Sequence, residues 1–117
     1  MRYMLLFVAD EQAWEALPAD ERTDAIARIG TWYRHLAQSG KIMEGHRLQG
    51  RRGARTVRLG PAGRSGRPVV VDGPFAETKE AIGSYAIVEV KGADEAVAIA
   101  QSWPAGGAVE VRPIMEE

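Results

Sequence analysis

The chain contains no cysteine. Disulfides, thiolate nucleophiles and cysteine-based zinc sites are therefore excluded together. Long apolar runs are lacking too. The N-terminal MRYMLLFVADEQAW is apolar only from Tyr3 to Ala9 before Asp10 and Glu11 break it, which is too short for a signal peptide or a membrane span. A cytoplasmic location with no membrane contact is the expectation. Neither sign of charge is in excess: 15 Lys and Arg face 16 Asp and Glu, for a formal net charge of -1. The molecule as a whole thus has no electrostatic pull toward nucleic acid or membrane. Histidine is scarce, with His35 and His46 alone, and their positions do not have the spacing of metal ligands. The segment GPAGRSGRP lacks the Gly-Lys-Ser/Thr ending of a phosphate loop, and Arg67 stands where a serine-hydrolase elbow has its last glycine. No cofactor is implied.

What is present describes one globular domain over residues 1–117, with 45% hydrophobic and 26% charged residues. RYMLLFVA carries apolar residues on both alternating faces, Tyr3/Leu5/Phe7 and Met4/Leu6/Val8, as a strand covered on both sides does. From Pro18 to Gly40, Ile26, Ile29, Tyr33, Leu36 and Ala37 recur at helical spacing. Asp20 and Glu21 suit the positive end of that helix, and Gly40 suits its closure. KIMEGHRL and ARTVRLG read as short strands joined through QGRRG, PAGRSGRP as a loop, VVVD as a strand, AETKEAIG as a polar connection, and SYAIVEV as another strand apolar on both faces. A second helix is predicted over Ala93 to Trp103, with Ala96, Val97 and Ala100 on one side and Pro104 beyond its end, and AVEVRPI forms a last strand.

This order fits an α+β, ferredoxin-like plait: an antiparallel sheet with two helices on one face. The other face is then an apolar surface larger than soluble monomers usually leave bare. Two copies packed sheet to sheet about a two-fold axis would cover it.

The motif DGPFAETKE, set between a valine-rich strand and GSYAIVEV, together with the N-terminal MRYMLLFVADEQAW, LAQSGKIMEG and the closing VEVRP, resembles the DGPF branch of the YCII-related family over nearly the whole chain. The resemblance implies a dimeric α+β barrel. It also implies a small bacterial domain, sometimes encoded beside or fused to sigma factors of the extracytoplasmic-function type. A histidine and an aspartate suggest an enzymatic role in that family. Asp72 matches the aspartate; where the YCII branch carries a histidine early in the first helix, this chain has Ala27 or Arg28.

Asp72 has two readings. A carboxylate ending a strand can hold a turn by accepting from the N–H groups of Phe75 and Ala76. At a cavity mouth the same carboxylate can serve as a general base, with Lys79 binding or stabilising an anion. Glu77 and Glu80 fit a solvated face. His46 is a candidate pocket residue that could meet Asp72 across the sheet, whereas His35 fits the surface. Of the aromatic residues, Trp32 and Phe75 are the candidates for lining a pocket. Between Arg47 and Arg67 lie seven arginines (Arg47, Arg51, Arg52, Arg55, Arg58, Arg64, Arg67) and no acid. They suit either a solvated basic edge or an anion-binding surface, and without an aromatic residue among them they do not suit nucleic acid. Two function classes stay open: a small-molecule enzyme or ligand-binding protein with Asp72 at a pocket, and a non-catalytic regulatory module that contacts the transcription apparatus.

Overall fold

The computed structural model describes residues 1–60, 67–74 and 80–116. Strand β1 (Arg2–Asp10) leads into a short helix α1 (Glu11–Ala16) and a long helix α2 (Ala19–Gln38). Strand β2 (Ile42–Arg47), a 3-10 turn at Arg51–Gly53, β3 (Arg55–Arg58), β4 (Val69–Asp72), β5 (Glu80–Glu89), α3 (Ala93–Gln101) and β6 (Ala108–Pro113) follow. Four strands form one sheet in the order β2-β5-β1-β6, every pair antiparallel. With α2 after β1 and α3 after β5, this is the connectivity of a ferredoxin-like plait. Strands β3 and β4 form a separate two-stranded sheet between the second and third strands of the plait.

Alternation along β1 sets the core. Tyr3, Leu5 and Phe7 are buried, and the residues between them are half-buried. Ala86 and Val88 of β5 lie in the same layer with Trp32 and Leu36 of α2 and Ala96 and Ile99 of α3, so both helices cover one face. The buried stripe of α2 is Ala25, Ile29, Trp32 and Leu36. This is rotated from the predicted stripe: Ile26 is 41% exposed, because the bulky Trp32 turns toward the sheet and carries its own i±3/i±4 row with it. Tyr33 rests on Gly45 of β2, where a Cβ would meet its ring at 2.5 Å. Its hydroxyl donates to the Tyr85 carbonyl at 3.2 Å.

Three elements differ from expectation. Helix α1 was not foreseen; Asp10 caps it by accepting from the Ala13 N–H at 3.1 Å, which ends β1 and starts the helix with one side chain. Glu80–Gly83, read as part of a polar connection, is strand, paired with Asp10, Ala9 and Val8 through Glu80, Ala81 and Ile82, with a bulge opposite Phe7 and Val8. Helix α3 stops at Gln101, short of Trp103, and Val97 is 44% exposed while Ile99 is buried. The β3–β4 hairpin has Val57, Val69, Val70 and Val71 exposed by 45 to 61% and packs chiefly on itself. The radius of gyration, 16.6 Å, accordingly exceeds the value of about 13 Å for a compact chain of this length.

Candidate functional site

A cleft of about 670 Å³ opens on the helix-covered side, where β1 runs out into α1. Its floor is one rung of the sheet. Arg47 of β2 lies opposite Ser84 of β5, and Ser84 opposite Phe7 of β1. The side walls are Trp14 of α1, Ile29 of α2 and Trp103, which follows α3. Trp103 stacks on Phe7 with ring centroids 3.9 Å apart, and Trp32 meets both rings edge-on from behind. The turn after β2 closes the remaining side and is fastened by one carboxylate: both Glu11 oxygens accept from the Arg51 backbone N–H, at 3.1 and 3.2 Å, with the Arg51 Nε at 4.0 Å. These two side chains are only 21% and 25% exposed, so the pair works as a partly buried clasp rather than a loose surface ion pair.

Polar groups gather at the floor. Ser84 is 5% exposed and is the one buried polar residue among those described. Burial pushes the Tyr33 phenol above its ordinary range, opposed by a hydrogen bond with Ser84 and by the nearby Arg47 charge. Two hydrogen-bonding side chains, of Arg47 and Ser84, thus line the cleft beside an aromatic wall, while Tyr33, its hydroxyl donating to the Tyr85 carbonyl, is not among the lining residues.

The sequence candidates are distributed differently. Asp72 lies on the projecting hairpin opposite Arg55, with its side chain 94% exposed and its carboxylate 3.8 Å from the Arg55 Nε. It is not a lining residue of the cleft; Pro74, two residues on, is. The Gly73 N–H donates to the Ala54 carbonyl at 2.8 Å and the Thr56 hydroxyl to the Gly73 carbonyl at 2.8 Å, so the backbone of this corner is held by the opposite strand. Phe75, Lys79, Ala76 and Glu77 lie outside the described residues. His46 is exposed on the sheet face away from the helices, paired with Tyr85, the rings 5.8 Å apart. It belongs to the four-stranded sheet and Asp72 to the two-stranded one, and the structure does not bring them together. On the same face the Tyr85 hydroxyl donates to Glu44 at 2.7 Å, and this bond raises the phenol's pKa. Trp32 is 8% exposed and donates its Nε1–H to the Ser102 hydroxyl at 2.8 Å; it supports the cleft from behind rather than lining it. Of the seven arginines, Arg47 and Arg51 line the cleft, Arg55 faces Asp72, Arg52, Arg58 and Arg67 are exposed, and Arg64 is outside the described residues.

Sequence reasoning missed Ser84, Glu11, Trp14 and Trp103 as site residues. A signal existed for three of them. Ser84 opens an apolar strand at a position whose register faces inward, and Asp10 ahead of EQAW is an N-cap that predicts a helix carrying Glu11 and Trp14. Among the described residues, no helix is long and apolar enough to cross a membrane, and no group of His, Asp and Glu is placed to hold a metal ion.

Connectivity and cleft together define a plait protein of the α+β class with a ligand-sized opening at one end of its sheet. The chain belongs to the YCII-related domain family, whose model matches residues 1–117. It is also similar to the uncharacterized protein R00369 of Rhizobium meliloti (strain 1021), at 30% identity over 97% of this chain and 92% of that protein.

Proposed function

We propose that the protein binds a small organic molecule in the cleft bounded by Phe7, Trp103, Ser84 and Arg47. One observation carries the reading: a concave opening of about 670 Å³, within the roughly 300–1,000 Å³ usual for ligand sites, combines aromatic walls with a few convergent polar groups. Binding rather than catalysis is assigned. A general base must come within hydrogen-bond reach of its substrate, and Asp72 stands exposed on the hairpin. The test is a thermal-shift and calorimetric screen of aromatic metabolites against wild type and Ala81→Phe, which fills the mouth beside Ser84. Ligands that raise the wild-type melting temperature and lose that effect in the variant support the cleft. Equal shifts in both proteins would place the ligand elsewhere.

A second reading concerns assembly, and a specific surface favours it. Met4 and Leu6 of β1 and Tyr85 and Ile87 of β5, each half-buried, share the face that the helices leave bare. We infer that two copies pair through this face as a homodimer, because an apolar patch of that extent is costly in water. Sedimentation equilibrium at micromolar concentration checks it: the expected result is a dimer that Leu6→Glu converts to monomer, and a stable wild-type monomer would refute the pairing.

A further inference from the structure

Two arginines, Arg47 and Arg51, and three carboxylates, Glu11, Glu15 and Glu80, line the cleft, so the charges left over after pairing decide what kind of molecule fits it. Glu11 and Arg51 neutralise one another across the turn after β2. Arg47 is different. It lines the cleft, yet it takes part in no ion pair among the described residues. Its backbone is fixed on the sheet opposite Ser84 and its side chain is exposed, free to meet a ligand, while the Ser84 hydroxyl, which lines the same floor, can rotate toward that ligand. A guanidinium with an adjacent hydroxyl is suited to a carboxylate or a similar small oxyanion, which accepts from both. Next to this pair the half-buried Trp103 ring, backed by the buried Phe7 ring at 3.9 Å between centroids, offers a flat apolar surface against which a ring system can pack.

We infer that the ligand of the cleft is a flat, aromatic or conjugated acid, its anionic group on Arg47 and Ser84 and its apolar body against Phe7 and Trp103. This rests on the cleft reading above and specifies its chemistry. The competing class is an amine. Glu15 and Glu80 are the lining carboxylates such a ligand would use; Glu80 already takes part in an interaction within the chain, and Glu15 sits in the last turn of the six-residue α1, exposed at the mouth.

Three probes with one body separate these possibilities: 2-naphthoate, 2-naphthalenemethanol and 2-naphthalenemethylamine, titrated calorimetrically into the whole chain near neutral pH. Wild type is expected to bind the acid about 10- to 100-fold more tightly than the alcohol, the range for a charge-assisted hydrogen-bonded pair, and the amine more weakly still. In Arg47→Gln the ratio of acid to alcohol affinity is expected to fall to about one. Arg52→Gln, which removes an exposed arginine outside the lining, is expected to keep the wild-type ratio and controls for net charge. Unchanged melting temperature and far-UV circular dichroism show that the variants are folded. If acid and alcohol bind wild type equally, or if Arg47→Gln keeps the ratio, the anionic assignment is wrong while the cleft stands. If the amine binds most tightly and Glu15→Gln abolishes that preference, the ligand is a cation and the assignment is likewise overturned. If all three probes bind wild type and Ala81→Phe alike, the cleft reading itself fails and the inference falls with it.

Discussion

Two consecutive glycines provide a controlled test of how the cleft's far wall is held. Gly106 and Gly107 both have positive φ, 72° and 77°, in the turn that carries Trp103 and Ala105 past the sheet and into β6. An alanine at either site pays the left-handed penalty of about 1–2 kcal/mol. Their surroundings differ. A Cβ at Gly106 meets nothing within 4 Å, whereas one at Gly107 runs into the backbone carbonyl oxygen of Val8, with the carbonyl carbon at 3.3 Å and the Ala9 Cα at 3.4 Å. Backbone cannot rotate away as a side chain does, and Val8 is paired with Ala108 on the next rung, so relief must come from shifting β6 against β1. Overpacking of this kind costs about 1–3 kcal/mol. Gly106→Ala is therefore expected to lose about 1–2 kcal/mol and Gly107→Ala about 2–5 kcal/mol. Urea unfolding followed by circular dichroism at constant m-value measures both, and at roughly 4 °C per kcal/mol for a domain of this size the melting temperatures separate them too. Because Gly106 and Trp103 line the cleft, Gly107→Ala should also weaken ligand binding more than its neighbour does. Equal stability losses in the two variants would refute the close approach of this turn to β1.

Two further outcomes follow from the hydrogen bonds. Ser102→Ala leaves the buried Trp32 indole N–H without its 2.8 Å acceptor and is expected to cost about 1–3 kcal/mol in urea unfolding, the penalty of an unsatisfied buried donor; Ser102→Thr, which keeps the hydroxyl, should recover most of it. The Glu95 carboxyl is held below its ordinary value of 4.5, first by the Lys91 backbone N–H at 3.0 Å, against the opposing effect of burial, and then by the Lys41 ammonium at 3.3 Å. A carboxylate whose folded pKa is depressed contributes stability above its unfolded pKa and loses it as pH falls through the folded one, so melting temperature should decline less steeply below pH 4.5 in Glu95→Gln than in wild type.

How far the residues announced this arrangement depends on the kind of signal each carried. Strand β1 was legible because its two apolar faces alternate cleanly, and α2 because acidic residues open it and Gly40 closes it. The plait followed from the order of these elements. The stripe of α2 was misjudged because several apolar rows compete on a helix that carries Ile26, Ile29, Trp32 and Tyr33, and only packing against Phe7 and Trp103 selects among them. VVVD reads as a strand and is one, but that it pairs with β3, the strand just before it, and stays out of the four-stranded sheet is a pairing decision that local propensity does not encode. The candidate site was less legible still. Asp72 drew attention through its motif and Arg47 through a cluster of like charges, yet whether either faces a cavity depends on register. Arg47 meets Ser84 only because β2 and β5 pair as they do.

The place of the cleft follows from unequal element lengths. Helix α2, with 20 residues, runs about 30 Å, whereas α3, with nine, covers only about 13 Å. The nine residues of β1 and ten of β5 extend about 30 Å or more. Helix α3 therefore cannot roof the full length of the strands it lies across. The uncovered stretch is the end where Phe7 meets Ser84, and smaller pieces enclose it: α1, the turn clasped by Glu11, and the Trp103 turn. Short elements make an incomplete roof, which leaves a cleft where a longer α3 would have left a sealed core. The same end is where β2 delivers the first arginine of the basic segment onto the sheet, so the plait's length mismatch opens the cavity and its strand order places a cation on the floor.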